Sequence, residues 1–189
     1  MKLAKKLLDA LLYSNIFIGI CAVALTLTNE LTVEGTVHID STCWFIFFST
    51  IFTYSYLKFR NGGEPGITTA HRNWAAENPQ LSRNIMLISL IATACFFGML
   101  TKQMQWIVIG LAIITAFYGF VSIPFISPRK KLREFGLIKT LFVGIVWSVT
   151  TVALPLADKH VGESMFIFLL LRRFLFVAAL TLIALVKLA

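Results

Sequence analysis

Six apolar runs separated by short polar stretches organise the chain: Leu7 to Leu27, Ser41 to Phe59, Arg83 to Thr101, Gln105 to Ile123, Leu137 to Leu156 and Ser164 to Val186. Each approaches the roughly 20 residues that an α-helix needs to cross a hydrocarbon core of about 30 Å. Lipid offers no partners to backbone N–H and C=O groups, so segments that close their own hydrogen bonds are expected. The pattern predicts an all-α fold, a polytopic transmembrane bundle of about six helices. No repeat or long linker divides it, so residues 1–189 read as a single transmembrane domain.

Composition agrees. Hydrophobic residues make up 58% of the chain and the mean hydropathy is +0.82, above the share of about 45 to 50% usual in soluble domains. The net charge of +8 suggests nucleic acid only until the charges are located. Lys2, Lys5 and Lys6 precede the first run, Lys58, Arg60, Arg72 and Arg83 follow the second, Arg129 to Lys139 follow the fourth, and Lys187 ends the sixth. The alternate gaps hold Lys102 and Lys159 with Glu30, Glu34, Asp40, Asp158 and Glu163. By the positive-inside rule both termini are expected to be cytoplasmic, in a multi-pass protein of the cell membrane. Membrane lipids are then the expected partner and nucleic acid is not.

The basic start and Ala22-Val23-Ala24 also have the form of a secretory signal, but Asp9 and Asn15 interrupt its apolar core. A retained first helix is the better reading. Cys21, Cys43 and Cys95 lie in or beside apolar runs without C-x-x-C spacing, as small buried apolar residues do.

The connection from Phe59 to Ser82 is the longest. Gly62-Gly63, Pro65-Gly66 and Asn78-Pro79 punctuate it and leave a helix-permissive piece around Thr69 to Asn78. Its His71, Arg72 and Trp74 suit a segment lying in the membrane interface, or a flap whose Lys58, Arg60 and Arg72 face an anionic group. The second basic connection, from Ser127 to Gly136, places four positive residues in the five positions Arg129 to Arg133. Anionic headgroups or a diphosphate would both satisfy it. Glu30, Glu34 and His38 recur every four residues, the spacing of metal ligands on one helical face. Gly35 and the β-branched residues around it favour a solvated acidic loop instead.

Two arginines interrupt the last run. Arg172 lies eight residues beyond Ser164, roughly 12 Å along a helix, and neighbours on a helix point about 100° apart, so Arg172 and Arg173 cannot share one direction. At least one is expected to face the bundle interior, and intramembrane charge of this kind marks a candidate functional site. Asn15 in the first run, and Ser148, Thr150 and Thr151 in the fifth, are candidates for interhelical hydrogen bonds.

From the fourth run onward the succession Tyr118, Pro124, Arg129-Lys130-Lys131, Gly136, Gly144, Trp147 and Pro155 resembles the UbiA-type intramembrane prenyltransferase family. Asn15 upstream and the segment LLLRRFLFVAALT downstream extend the resemblance over most of the chain. It implies a lateral helical cavity in which a polyprenyl diphosphate is ionised with Mg²⁺ help and the prenyl group passes to an aromatic or similar acceptor. In that setting Lys58, Arg60, Arg72, Arg129 and Lys130 would hold the diphosphate.

The sequence departs from the family where metal is held. The second run ends TYSYLKFRNGG without aspartate, the chain beyond Arg173 has no carboxylate, and only Glu64, Glu77 and Glu134 of its nine acids lie in the inter-helix connections on the basic side. Mg²⁺ is implied by resemblance, yet no ligand set can be drawn from these residues. The expectation is therefore a UbiA-like membrane protein whose prenyl transfer is impaired or lost. The alternatives are a non-catalytic membrane protein that binds lipid or a partner, and a small transporter subunit.

Overall fold

The computed structural model describes residues 2–60, 74–120 and 136–186. Every regular element among them is helical: α1 (Lys2–Tyr13), α2 (Ile16–Glu34), α3 (Ser41–Arg60), α4 (Pro79–Met99), α5 (Lys102–Phe120), α6 (Gly136–Ser148) continued by a π-helical turn (Val149–Ala153), and α7 (Glu163–Val186). Three are long and apolar enough to cross a membrane, Ile16–Glu34, Pro79–Met99 and the Glu163–Ala184 part of α7. Large apolar side chains stand exposed along them and along α5, Trp106 at 71% and Phe117 at 63% among them. Water would not tolerate so extensive a patch; acyl chains would cover it.

The first apolar run is not one helix. Asn15 has φ 67°, a left-handed conformation that asparagine tolerates better than most side chains, and it separates α1 from α2. The second helix starts at Ile16 and continues to Glu34, beyond the expected end at Leu27. The acidic stretch is thus corrected as well: Glu30 and Glu34 belong to a helix. Gly35, at φ 70°, ends it. The other five runs are helical where they are described, the expected end at Ile123 lying outside the described residues, and polar side chains cap two of them. Asp40 caps α3 by accepting from the Cys43 N–H at 3.0 Å, and Thr101 Oγ1 accepts from the Met104 N–H at the start of α5.

Contacts divide the chain into two compact units, Met1–Thr28 with Val37–Leu100, and Asn29–Thr36 with Thr101–Ala189. In the first, α3 and α4 form a hairpin through aromatic layers. Trp44, Phe48 and Phe96 stack with ring centroids 5.9 to 6.4 Å apart, and Gly19 of α2 lets Phe47 and Ile51 approach closely. In the second, α6 packs on α7, and Val152, Leu156 and Leu169 form a buried core with Val33, Met165 and Phe166 around it. Tyr118 stacks on Phe142 at 3.8 Å between centroids.

Hydroxyls inside the helices donate to carbonyls one turn back: Thr26 to Ala22, Thr93 to Ser89, Ser148 to Gly144 and Thr181 to Val177. Helices in lipid can therefore carry these residues without exposing an unpaired polar atom.

At Gly144 α6 and α7 approach closely. A Cβ there would stand 2.9 Å from the Phe174 ring and 3.5 Å from its carbonyl oxygen, whereas one at Gly110 would meet nothing within 4 Å. Small residues permit such approach between membrane helices. Gly144→Ala is expected to lower stability in detergent by about 1–3 kcal/mol, and Gly110→Ala to leave it unchanged or slightly raised. Thermal unfolding of the two variants side by side measures the difference.

Candidate functional site

Pro155 sets the site. It has no N–H and cannot accept the usual role of donor to the carbonyl four residues earlier, which leaves the Thr151 carbonyl without its helical partner. The helix widens here into the π turn, closed by the Leu154 N–H donating to the Val149 carbonyl at 2.9 Å, and π turns of this kind cluster at functional positions. The Thr151 hydroxyl satisfies the Trp147 carbonyl at 2.8 Å. The carbonyl of Thr151 itself accepts from Asn29 Nδ2 at 2.7 Å.

Asn29 is fully buried and its two amide atoms face different elements. While Nδ2 serves the π turn, Oδ1 accepts from Arg173 Nη2 at 3.1 Å and, more weakly, from Arg172 Nη2 at 3.4 Å. One amide thus ties the C-terminal part of α2 to both the π turn and α7. Arg173 is 6% exposed and lies ten residues into α7, about 15 Å along a helix of about 36 Å. Arg172 is exposed, and its guanidinium carbon lies 6.0 Å from the centre of the Phe168 ring, one turn back. Arg173 is thus buried and Arg172 exposed, yet the two guanidinium groups reach the same amide oxygen, so the expectation that they cannot share one direction is corrected: long side chains bend toward one acceptor from adjacent positions.

Charge continues at the end of α2. Lys159 Nζ reaches Glu30 Oε1 at 3.3 Å and Glu34 Oε2 at 3.0 Å, with the Glu30 side chain buried and that of Glu34 partly open. Burial lowers the Lys159 pKa, but hydrogen bonds and attraction from Glu34 and Glu30 outweigh it and hold the ammonium above its ordinary value of 10.5. Glu30 and Glu34 do share a face, as their spacing required. His38 lies past Gly35, outside the helix, and no group of three metal-ligating side chains occurs among the described residues. The carboxylates hold a lysine.

The basic-side candidates fare differently. Lys58 donates to the Tyr13 carbonyl at 3.0 Å and stands 5.5 Å from the Trp74 ring centre, so it joins the ends of α1 and α3 to Trp74. Arg60 closes α3, while Arg72, Arg129 and Lys130 lie outside the described residues. Asn15 donates from Nδ2 to Ser55 Oγ of α3 at 3.1 Å. A Mg²⁺ centre needs hard carboxylate oxygens; the C-terminal end of α3 supplies Lys58 and Arg60, and these do not fit one.

Asn29 was missed because a single amide near a helix end carries little pattern. The usable signal was elsewhere: Pro155 inside an apolar run orphans one carbonyl, and where that carbonyl is buried a polar side chain has to answer it. Arg173→Leu is expected to lower stability by about 1–3 kcal/mol, because it takes the shorter hydrogen bond from Asn29 and empties a buried volume. Arg172→Leu should cost less than about 1 kcal/mol. Equal thermal midpoints for the two variants in detergent would contradict the assignment.

No family model matches the chain, and neither a curated protein nor a solved structure is significantly similar to it.

Proposed function

We propose that the protein is a multi-pass protein of the cell membrane, with six spans and both termini cytoplasmic, that binds a polyprenyl diphosphate at its basic face. Its prenyl transfer to an aromatic or similar acceptor is impaired or lost. The spans are α2, α3, α4, α5, α6 with its π turn, and α7; an even number returns the chain to its starting side. Lysines and arginines at the C-terminal end of α3 and before α6 mark that side as cytoplasmic. The relationship to UbiA-type prenyltransferases rests on the Tyr118 to Pro155 succession and the Arg172-Arg173 segment.

One observation carries the reading of lost chemistry. At the end of α3, where metal-assisted ionisation would call for carboxylates, Lys58 stands with its ammonium committed to the Tyr13 carbonyl. Cations hold diphosphate oxygens well, arginine by a planar fork and lysine as a point charge. They do not supply the bridging cation that neutralises a departing diphosphate, which is the larger share of the barrier to breaking an allylic C–O bond. Binding without turnover is the consequence.

A second reading, a non-catalytic protein that binds a partner within the bilayer, is favoured by Arg172. An exposed guanidinium in a spanning helix suits an anionic group on a neighbouring molecule.

Purified protein incubated with radiolabelled farnesyl diphosphate, Mg²⁺ and 4-hydroxybenzoate tests the proposal. Saturable binding without prenylated product is expected, with affinity falling about tenfold or more in the double variant Arg129→Gln, Lys130→Gln. Mg²⁺-dependent product would overturn the loss of chemistry. Binding no tighter than that of farnesol would overturn diphosphate recognition and leave the second reading.

A further inference from the structure

We propose that α1 is a surface anchor that lies on an anionic phospholipid leaflet, a role resting on the reading of α2 as a span. The 19 residues of α2 extend about 28 Å at 1.5 Å per residue, enough to fill the hydrocarbon core alone. Tyr13 then stands at the boundary. Trp74 stands with it, the two ring centroids 6.2 Å apart, and aromatic rings with a polar edge favour the headgroup level. The left-handed Asn15 interrupts the helix just beyond, and the Lys58 ammonium holds the Tyr13 carbonyl at the same level. Everything N-terminal to Tyr13 has therefore left the core.

The pattern along α1 fits the surface it would meet. Lys2, Lys5, Lys6 and Asp9 fall on one helical face, three positive charges against one negative. Beside that face, Leu8 and Leu12 are one turn apart and 55% and 37% exposed. A basic face flanked by exposed leucines suits headgroup phosphates above and acyl chains below, and each lysine near an anionic leaflet adds to the attraction. A second protein would need no such match between charge, leucines and the aromatic level, so the leaflet is the occupant.

Hydrogen exchange of the full chain in nanodiscs separates the outcomes. Discs of phosphatidylcholine alone are compared with discs holding about one third phosphatidylglycerol. The α1 amides are expected to exchange about tenfold or more slowly in the anionic discs. The triple variant Lys2→Gln, Lys5→Gln, Lys6→Gln should lose that difference while α2 stays protected. Equal α1 exchange in both discs, or a difference that survives the triple variant, would overturn the anchor. Free exchange along α2 would overturn the span, and the anchor with it, a result distinguishable from change at α1 alone.

Discussion

A backbone carbonyl buried away from water must find a donor within the protein, and that single constraint decides how the second half of this chain is put together. Pro155 withdraws a donor from the fifth apolar segment, and in water the orphaned Thr151 carbonyl would simply be hydrated. Buried as Thr151 is, it needs a protein donor. Asn29 supplies one at 2.7 Å and, with its other amide atom, meets the opposite problem on α7, where guanidinium donors need acceptors. A defect in one helix and an excess in another are settled by the same side chain. The π turn follows from the same proline, since widening the helix relieves the ring against the preceding turn.

The same constraint explains why polar residues elsewhere in the helices go unnoticed. Thr26, Thr93, Ser148 and Thr181 bond within their own helices and leave apolar exteriors. Charges are kept at the ends, Lys159 with Glu30 and Glu34 at one, Lys58 with Tyr13 and Trp74 at another. Arg172 and Arg173 are the exceptions, and they differ in burial while sharing one acceptor. Arg173 is buried against the amide at 3.1 Å; Arg172 is exposed beside Phe168 and reaches the same oxygen only at 3.4 Å. Function, on the proposed reading, sits at the basic loop ends, while the Asn29 joint ties the C-terminal turns of α2 to the π turn and α7 within one unit.

The all-helical character was legible because apolar runs of about 20 residues have few other uses, and among the described residues the last five runs are helical. The first was misread for a physical reason. Leucines in α1 and in α2 are indistinguishable to a hydropathy count, although α1 places its lysines on one face and α2 has none. Only backbone conformation at Asn15 separates them. Gly35 and the β-branched residues beside Glu30 and Glu34 suggest a loop, but such residues disfavour helix by only a few tenths of a kcal/mol each, and α2 runs on until Gly35 ends it. Among the candidate site residues, Arg172 and Arg173 were visible as charges out of place. Asn29 was not, since its importance arises from a carbonyl whose need depends on a proline more than a hundred residues away.

A double-mutant cycle on Asn29 and Arg173 tests the central claim most directly. Unfolding free energies would be measured in bicelles for Asn29→Ala, Arg173→Leu and both together. The account predicts a coupling energy of about 0.5 to 2 kcal/mol, with the double variant less destabilised than the sum of the single ones. Strict additivity would mean that the amide and the guanidinium do not meet in the folded protein, and would contradict it.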